Sequence, residues 1–257
     1  MNKPALSLVL ITHNAASQLA QTLESARALA DDIVVLDSGS EDDTVALAER
    51  YGARVTHQPF LGFGPQKRLA VSLARHDWVL CLDADERLTP ELAQSIAAAL
   101  AAPDKAAYRF ARRNRFFGRY LKHGEAYPDW CLRLFDRRRA NWSEDMVHET
   151  VRVVDGATGT LAGDLLHDSA EELGHYLQKQ NRYTDIQADK LYAAGKRVGA
   201  LKLIGSPLVR FIRYYVFRLG FLDGAAGFAH IAIGSFFAFV KYAKLIERWR
   251  QGGPTPR

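Results

Sequence analysis

The sequence contains little cysteine, and it lacks an unbroken apolar run long enough for a confident membrane crossing. Cys81 and Cys131 are the two cysteines among its 257 residues, and they lie far apart in the chain. This usage excludes a disulfide framework and a cysteine-based metal cluster, and it is typical of a reducing cytoplasm. Residues 1–4 lead directly into a strand pattern without the apolar segment and cleavage site of a secretory signal. We therefore expect a cytoplasmic protein.

Motifs of two large nucleotide-binding classes are also missing. The chain has neither the Walker loop of P-loop ATPases nor the G-x-G-x-x-G fingerprint of dinucleotide enzymes. No internal repeat or low-complexity tract interrupts it. With 48% hydrophobic and 25% charged residues, the chain has enough apolar material for one domain with an appendage.

The net charge of +5 is unevenly distributed along the chain. Residues 105–139 carry 11 Lys or Arg against 3 Asp or Glu, and residues 196–250 carry 10 against 2. Two basic surfaces are therefore expected beside an acidic remainder. Candidate partners of such surfaces are nucleic acid, anionic lipid or a phosphorylated acceptor.

The first hundred residues alternate between strand and helix patterns. Four strands, each followed by a helix, are predicted at residues 5–11, 32–36, 54–57 and 78–82. This alternation predicts an α/β fold with a mostly parallel sheet and helices on both faces. Ser40 and Asp43 form an S-x-x-D pattern that predicts a cap for the second helix, and Thr89 with Pro90 predicts the start of a later one. Shorter strands with mixed or antiparallel pairing are predicted at residues 108–110, 132–135, 151–154 and 160–166.

The C-terminal region is predicted to be helical. Ser169 is expected to cap a long helix that ends near Ala194. Residues 201–249 interleave arginines with aromatic and aliphatic residues, and their apolar stretch at 225–240 is too short for a confident bilayer crossing. Two interpretations stay open: a hairpin of amphipathic helices lying in a membrane interface, or a helical cap on the sheet domain. We favour the membrane-surface hairpin.

Two aspartates follow the fourth predicted strand. Asp83 and Asp85 are two residues apart, so in an extended turn their carboxylates project to the same side at the carboxyl edge of the sheet. Neighbouring carboxylates are unfavourable without a positive charge between them, and a hard divalent cation that carries a phosphate supplies that charge. Thr89 already provides the cap of the next helix. The motif therefore predicts a divalent cation site.

Three loops at the carboxyl ends of the predicted strands are expected to meet at one edge of the sheet. A nucleotide needs an acceptor for its base or ribose, donors for its phosphates and a cation between the phosphates. Asp37 could supply the acceptor for the base or ribose, and the aspartate pair could hold the cation between the phosphates. The phosphate donors would come from Thr12, Asn14, Lys67 and Arg68.

Residues 8–14, 34–44, 66–68 and 82–86 read Leu-Val-Leu-Ile-Thr-His-Asn, Val-Val-Leu-Asp-Ser-Gly-Ser-Glu-Asp-Asp-Thr, Gln-Lys-Arg and Leu-Asp-Ala-Asp-Glu. These segments resemble the nucleotide-sugar half of family 2 glycosyltransferases, which have the GT-A fold of nucleotide-diphospho-sugar transferases. The later segments 133–135, 147–149, 179–183 and 220–224, together with His167, resemble the lipopolysaccharide core β-glucosyltransferases of Gram-negative bacteria. The resemblance implies an inverting, metal-dependent enzyme that uses a nucleotide-diphosphate sugar.

The resemblance also implies a role for each donor-site residue. Asp37 contacts the base and ribose, Asp83 lies near the ribose and sugar, and Asp85 ligates Mg²⁺ or Mn²⁺ below the diphosphate. Lys67 or Arg68 steadies the phosphates. The implied organisation is a GT-A catalytic domain at residues 1–168 and a helical membrane-associating extension at residues 169–257. Within the catalytic domain, residues 1–103 form the nucleotide-sugar half and residues 104–168 the acceptor half.

An inverting transfer needs a carboxylate that deprotonates the acceptor hydroxyl. The Glu-Asp pair of many family members favours Asp145, whereas the Val-His-Glu of the subgroup favours Glu149, and we prefer Glu149. His148 is a candidate metal ligand or phosphate contact, although a lone histidine is more often only hydrogen-bonded. His167 is expected to orient a loop rather than to bind the metal.

The basic stretch between the donor half and the candidate base would ordinarily be a solvated face. The resemblance implies that it meets the acceptor instead, and the inner core of lipopolysaccharide is densely anionic. Arginine forks match carboxylates and phosphates, so we expect acceptor contacts from Arg112, Arg113 and Arg115.

The expected function is transfer of a hexose, glucose from UDP-glucose, to a heptose-type hydroxyl of the lipopolysaccharide core. The enzyme would work at the cytoplasmic face of the inner membrane as a peripheral protein, without a nucleic-acid partner. A polyprenyl-phosphate sugar transferase is the alternative with the same donor half. A sugar nucleotidyltransferase would need a glycine-rich segment where this chain has residues 12–16, Thr-His-Asn-Ala-Ala. A basic binding protein without enzymatic activity would show salt-dependent binding that needs none of Asp37, Asp83 and Asp85.

Overall fold

The computed structural model describes residues 4–145, 149–168 and 172–252. The chain forms two compact units, one from residues 1–113 and 129–168 and the other from residues 114–128 and 169–257. The strands are β1 (Leu6–Thr12), β2 (Asp32–Asp37), β3 (Arg54–His57), β4 (Trp78–Asp83), β5 (Glu86–Leu88), β6 (Ala107–Phe116), β7 (Arg119–Tyr120), β8 (Asp129–Asp136), β9 (Ala140–Trp142), β10 (Val151–Val153) and β11 (Thr158–His167). The helices are α1 (Ala16–Ala26), α2 (Thr44–Arg50), α3 (Phe63–Ser72), α4 (Pro90–Ala101), α5 (Leu173–Ala193), α6 (Ala200–Ile212) and α7 (Gly224–Gln251).

The main sheet has the strand order β3-β2-β1-β4-β8-β6-β11-β5. The four strands β3, β2, β1 and β4 run parallel to their neighbours. From β8 onward the pairing turns antiparallel, as in the pairs β4–β8, β6–β8 and β11–β5. A separate antiparallel pair joins β9 to β10. The α/β class is thus confirmed, as are the parallel first half and the mixed second half.

The parallel strands are buried on both faces, which explains their continuous apolar runs. Leu8 and Leu10 of β1 point into a core shared with α1 and α4, where Leu19, Ile96 and other side chains are fully buried. Val9, between them, points into the opposite core, which is shared with α3. Because successive side chains of a strand alternate between faces, helices cover the sheet on both sides as predicted.

One predicted helix cap is confirmed and another is wrong. The Thr89 hydroxyl accepts a hydrogen bond from Leu92 N at 3.3 Å, and Pro90 opens α4. At α2 the cap residue is Asp43, and its side chain makes no capping hydrogen bond. Ser40, the other half of the predicted pattern, instead bonds to Asp37, so a contact at the sheet edge displaces the local cap. The predicted cap Ser169 lies outside the described residues.

The second unit is built from α5, α6 and α7, with a π-helical segment at Arg213–Phe217 and a 3₁₀ turn at Gly220–Asp223. The helical prediction for this region is confirmed. The apolar stretch at 225–240 is part of the 28-residue helix α7, which is longer than the stretch suggested. By length and composition alone the segment Gly220–Gln251 could cross a membrane, with a mean hydropathy of 1.4, although 39% of its apolar window is buried. A core helix of a soluble unit has the same properties.

Candidate functional site

A cleft opens in the first unit at the carboxyl edge of the parallel strands. The sheet register sets Thr12 beside Asp37 and Ile11 beside Asp83, so the loops after β1, β2 and β4 meet there as predicted. The cleft has a volume of about 410 Å³. Its lining residues include Thr12, Asn14, Ser38, Phe60, Phe63, Asp83, Asp85 and His167.

Asp37 is buried at the edge of the cleft and organises the loop that follows β2. Its Oδ1 accepts hydrogen bonds from the backbone N–H groups of Gly39 and Ser40 at 2.9 and 2.8 Å. Its Oδ2 accepts from the hydroxyls of Thr12 at 2.8 Å and Ser40 at 2.5 Å. Burial raises the pKa of Asp37, but the hydrogen bonds from Ser40 and Thr12 outweigh it and hold the pKa below the ordinary value. The carboxylate is therefore ionised and engaged by four donors of the chain.

Asn14 joins the loop after β1 to the loop after β2. Its backbone N–H donates to Ser40 Oγ at 2.9 Å, and its side-chain Oδ1 accepts from Glu41 N at 2.8 Å. Asn14 takes a positive φ of 48°, a conformation that asparagine tolerates better than most residues. These bonds hold the two loops together at the cleft.

Asp83 is held between two cations. Lys67 Nζ lies 2.8 Å from Asp83 Oδ1, and Arg133 Nη2 lies 2.6 Å from Asp83 Oδ2. Burial raises the pKa of Asp83, but Arg133 and Lys67 lower it by more, so the pKa lies well below the ordinary value. Asp83 is thus an ionised group at the floor of the cleft.

Lys67 links Asp83 to the candidate base Glu149. Its Nζ lies 2.8 Å from Glu149 Oε1 and 4.5 Å from the centre of the Trp142 ring, and its side chain is buried. A compact ammonium group can contact two carboxylates and an aromatic face at once. The structure therefore brings together three of the residues singled out from the sequence: Lys67, Asp83 and Glu149.

Glu86 and Arg133 extend this charge network, and sequence reasoning gave neither a role. Glu86 is fully buried; its Oε2 accepts from Asp83 N at 3.0 Å, and its Oε1 lies 2.8 Å from Arg133 Nη2. Glu86 Oε1 also accepts from Arg112 Nη1 at 3.0 Å. The sequence did offer a signal, since Glu86 follows directly on the aspartate motif and a buried carboxylate needs a cation.

Asp85 pairs with His167 across the cleft, at 3.2 Å between Asp85 Oδ2 and His167 Nε2. A carboxylate oxygen is the ligand type that Mg²⁺ and Mn²⁺ prefer, and an imidazole nitrogen is a ligand of many transition metals. Among the described residues, no group of three or more His, Cys, Asp or Glu side chains could hold a metal. A cation at this pair would therefore take its remaining ligands from phosphate oxygens and water. His148, the predicted histidine ligand, lies outside the described residues.

Arg68 and Asp145 lie away from this cleft, in a second pocket of the first unit. Arg68 Nη1 donates to the carbonyl of Trp142 at 2.8 Å, and exposed Asp145 contacts Arg152 at 3.4 Å. The structure thus separates Asp145 from Asp83, whereas Glu149 reaches Asp83 through Lys67.

The three arginines predicted to meet the acceptor have different surroundings. Arg112 is paired with Glu86 and with Asp129, whose Oδ2 lies 2.8 Å from Arg112 Nη2, and Arg113 forms an ion pair with Asp164. Arg115 belongs to the second unit, where it lies opposite Tyr120 in the β6–β7 pair. Their predicted role toward the acceptor stays a prediction.

An aromatic pair at the rim of the cleft was also missed from the sequence. Phe60 and Phe63 are exposed, and their rings meet edge to face with centroids 5.1 Å apart. Buried Gln66 holds their loop, since its Oε1 accepts from Leu61 N at 3.2 Å and its amide donates to Ser38 Oγ at 3.1 Å. The aromatic residues beside Gly62 and Gly64 were the available signal.

Comparison with known proteins identifies relatives along most of the chain. Residues 7–156 match the model of "Glycosyl transferase family 2". The lipopolysaccharide core biosynthesis glycosyltransferase LpsC of Rhizobium meliloti is 33% identical over 96% of this chain and 93% of that protein. An uncharacterized glycosyltransferase of Rickettsia felis is 31% identical over 94% of this chain and 89% of its own length. A crystal structure of glucosyl-3-phosphoglycerate synthase from Mycobacterium tuberculosis with Mn²⁺ and uridine diphosphate is 25% identical, covers 44% of each chain and has a TM-score of 0.37.

Proposed function

The chain belongs to glycosyl transferase family 2, and on that premise we propose that it moves a hexose from a nucleotide-diphosphate sugar to the lipopolysaccharide core. The observation that carries the proposal is the cleft in which Asp85 faces His167 while Asp83 is joined through Lys67 to Glu149. The likeness to LpsC over nearly the whole chain supports the choice of acceptor.

The donor is proposed to be UDP-glucose, with its diphosphate at the Asp85 end of the cleft. Asp85 and His167 would hold Mg²⁺ or Mn²⁺, which when bound neutralises the diphosphate leaving group. Asp83 would accept hydrogen bonds from the ribose and sugar hydroxyls, since the carboxylate is ionised. Asp37 fixes the shape of the base pocket through its own loop, and Thr12, Asn14 and Lys67 lie beside the phosphates.

Glu149 is the proposed general base. Its carboxylate lies close to Asp83, because both carboxylates contact Lys67 Nζ at 2.8 Å. In an inverting transfer the acceptor oxygen attacks the anomeric carbon, its proton passes to the carboxylate, and the bond to the diphosphate breaks on the opposite face. Lys67 would position the Glu149 carboxylate for the acceptor hydroxyl.

The acceptor is proposed to be an anionic lipid-linked saccharide, which locates the enzyme at the cytoplasmic face of the inner membrane. The excess of Lys and Arg over residues 105–139 supports this choice, since guanidinium groups suit carboxylate and phosphate substituents. Within that stretch, Arg112 and Arg113 are already paired with acidic side chains of the chain. A polyprenyl-phosphate acceptor has the same anionic and lipid character. Transfer assays with the two acceptor types separate these cases.

The test of the donor site measures UDP binding calorimetrically with and without Mn²⁺. Asp85→Asn and His167→Asn should each weaken the Mn²⁺-dependent part of UDP binding by at least about tenfold and reduce glucose transfer in parallel. Asp43→Asn is the matched control, because Asp43 is an exposed carboxylate with no capping bond. Full metal-dependent binding in both site variants would refute the assignment.

A further inference from the structure

Helix α6 presents its apolar side chains outward. Leu201, Ile204, Leu208 and Ile212 follow one another at spacings of three, four and four residues, which sets them on one face of the helix. All four are exposed, Leu201 by 93%, and no described residue of α6 is buried. A helix of a soluble protein normally turns such a stripe toward its core.

The segment between α6 and α7 also exposes large apolar side chains. Phe217 is 77% exposed and Phe221 is also exposed. These two phenylalanines and the four residues of the α6 stripe form what we term the outer apolar face. Single exposed apolar residues are ordinary, but four on one face of a helix, with two more in the adjoining segment, mark a surface that another apolar phase covers.

The charged residues near the outer apolar face indicate what binds to it. Residues 196–222 contain six Lys or Arg and no Asp or Glu, and one of the six, Arg210, is paired with Glu125 of the same unit. A second copy of the chain, related by a twofold axis, would bring these cations toward one another at a cost in free energy. A bilayer with anionic headgroups offers hydrocarbon to the face and negative charge to its rim.

Helix α7 is bound to a helix that cannot enter hydrocarbon. Lys244 and Arg248 of α7 pair with Asp185 and Asp189 of α5, each at 2.8 Å. Helix α5 carries five charged side chains, Lys179, Arg182, Asp185, Asp189 and Lys190. Moving these groups into a bilayer core costs several kcal/mol in total, even on the lenient translocon scale. Because α7 packs along α5, it serves as the core helix of the second unit.

We infer that the second unit lies on an anionic bilayer through the outer apolar face of α6, and that α7 does not cross the membrane. This inference deepens the membrane location proposed above. It rests on the second unit alone and requires no particular donor or acceptor.

The test is flotation of the full chain with lipid vesicles. The chain should float with vesicles of phosphatidylcholine mixed with phosphatidylglycerol and bind vesicles of phosphatidylcholine alone much more weakly, because the cationic rim contributes. Alkaline carbonate should release it, since an interfacial helix leaves the bilayer and a spanning helix does not. Failure to bind anionic vesicles, or retention after carbonate, would overturn the inference.

A double variant, Leu201→Gln with Leu208→Gln, isolates the apolar contribution. Both positions are exposed, so the fold should persist while vesicle binding falls by at least about tenfold. Val154→Gln is the matched control, because Val154 is an exposed apolar residue of the first unit. If the double variant keeps full vesicle binding and instead converts a dimer to a monomer in size-exclusion chromatography, a second copy is the occupant. UDP binding, measured in the same variants, reports on the proposed function separately.

Discussion

The Asp37 carboxylate makes the stability of the protein depend on pH. Its pKa is lower in the folded protein than the ordinary 3.8, because hydrogen bonds from Ser40 and Thr12 outweigh the effect of burial. A depressed pKa contributes stability above the ordinary value, and that contribution is lost as the pH falls through the folded value. We predict that Asp37→Asn lowers the free energy of unfolding at pH 7 and reduces its decline below about pH 4.

Urea unfolding at pH 7 and at low pH measures this dependence. Asp43→Asn is the control, since Asp43 is exposed and makes no capping bond. Equal declines in the Asp37 variant and the native chain would show that Asp37 does not carry the effect.

Lys67 is a second residue whose contacts predict a measurable loss. Its buried ammonium group is shared by Asp83 and Glu149, so Lys67→Met leaves two carboxylates with less compensation. Breaking a buried ion pair lowers the free energy of unfolding by about 3 kcal/mol. Arg133 stays beside Asp83 in the variant, so this figure is an upper bound for the loss. The proposed sugar transfer should fall as well, because Glu149 loses the cation that contacts it.

Urea unfolding and initial transfer rates test the Lys67 prediction. The control is Lys105→Met, which removes a lysine paired with Asp104 at the exposed surface and should have little effect on either quantity. A Lys67→Met protein with native stability would contradict the buried-pair argument.

The junction between α3 and the segment that leads to Glu149 depends on a close approach at Gly64. Gly64 N donates to the carbonyl of Asp145 at 3.2 Å, and a Cβ at this position would clash with the carbonyl oxygens of Ser143 and Asp145. Gly64→Ala should therefore destabilise the protein by about 1 to 3 kcal/mol and lower the transfer rate through Glu149.

Thermal unfolding together with a transfer assay measures the Gly64 effect. Gly174→Ala in α5 is the matched control, because nothing lies within 4 Å of its added Cβ. That substitution should leave stability unchanged or raise it by about 0.5 to 1 kcal/mol. Equal behaviour of the two variants would rule out the proposed clash.

The elements with the strongest local patterns were predictable from the sequence. Strands β1, β2 and β4 are short apolar runs buried on both faces, and α4 begins with a hydroxyl cap and a proline. The meeting of the three loops followed because neighbouring parallel strands end at one edge.

The contacts that could not be predicted depend on the tertiary structure rather than on a local sequence pattern. His167 contacts Asp85 because the end of β11 pairs antiparallel with β5. No local sequence pattern predicts this pairing. Ser40 fits a helix cap by spacing, but the buried Asp37 carboxylate needs its hydroxyl more. Arg112 belongs to a basic run, yet Glu86 and Asp129 neutralise it.

At the scale of the whole molecule, the two compact units divide the residues described above. The cleft residues belong to residues 1–113 and 129–168, whereas the outer apolar face and α7 belong to the unit with residues 114–128 and 169–257. The predicted partition at residue 168 into catalytic domain and helical extension stays a prediction about function. It can be tested by perturbing one unit and measuring the other.

Arg248 offers that perturbation, because it anchors α7 to α5 inside the second unit. It is buried, and its guanidinium pairs with Asp189 at 2.8 Å and with Asp185 at 3.2 Å. Arg248→Met should lower the unfolding temperature of the second unit, since two carboxylates lose a shared cation, while UDP binding with Mn²⁺ keeps its native affinity. Arg250→Met removes the same charge from an exposed site of the same helix and should leave both quantities unchanged. Calorimetric unfolding and UDP titration of the native chain and the two variants measure both quantities. A loss of UDP affinity in the Arg248 variant would show that donor binding requires the second unit.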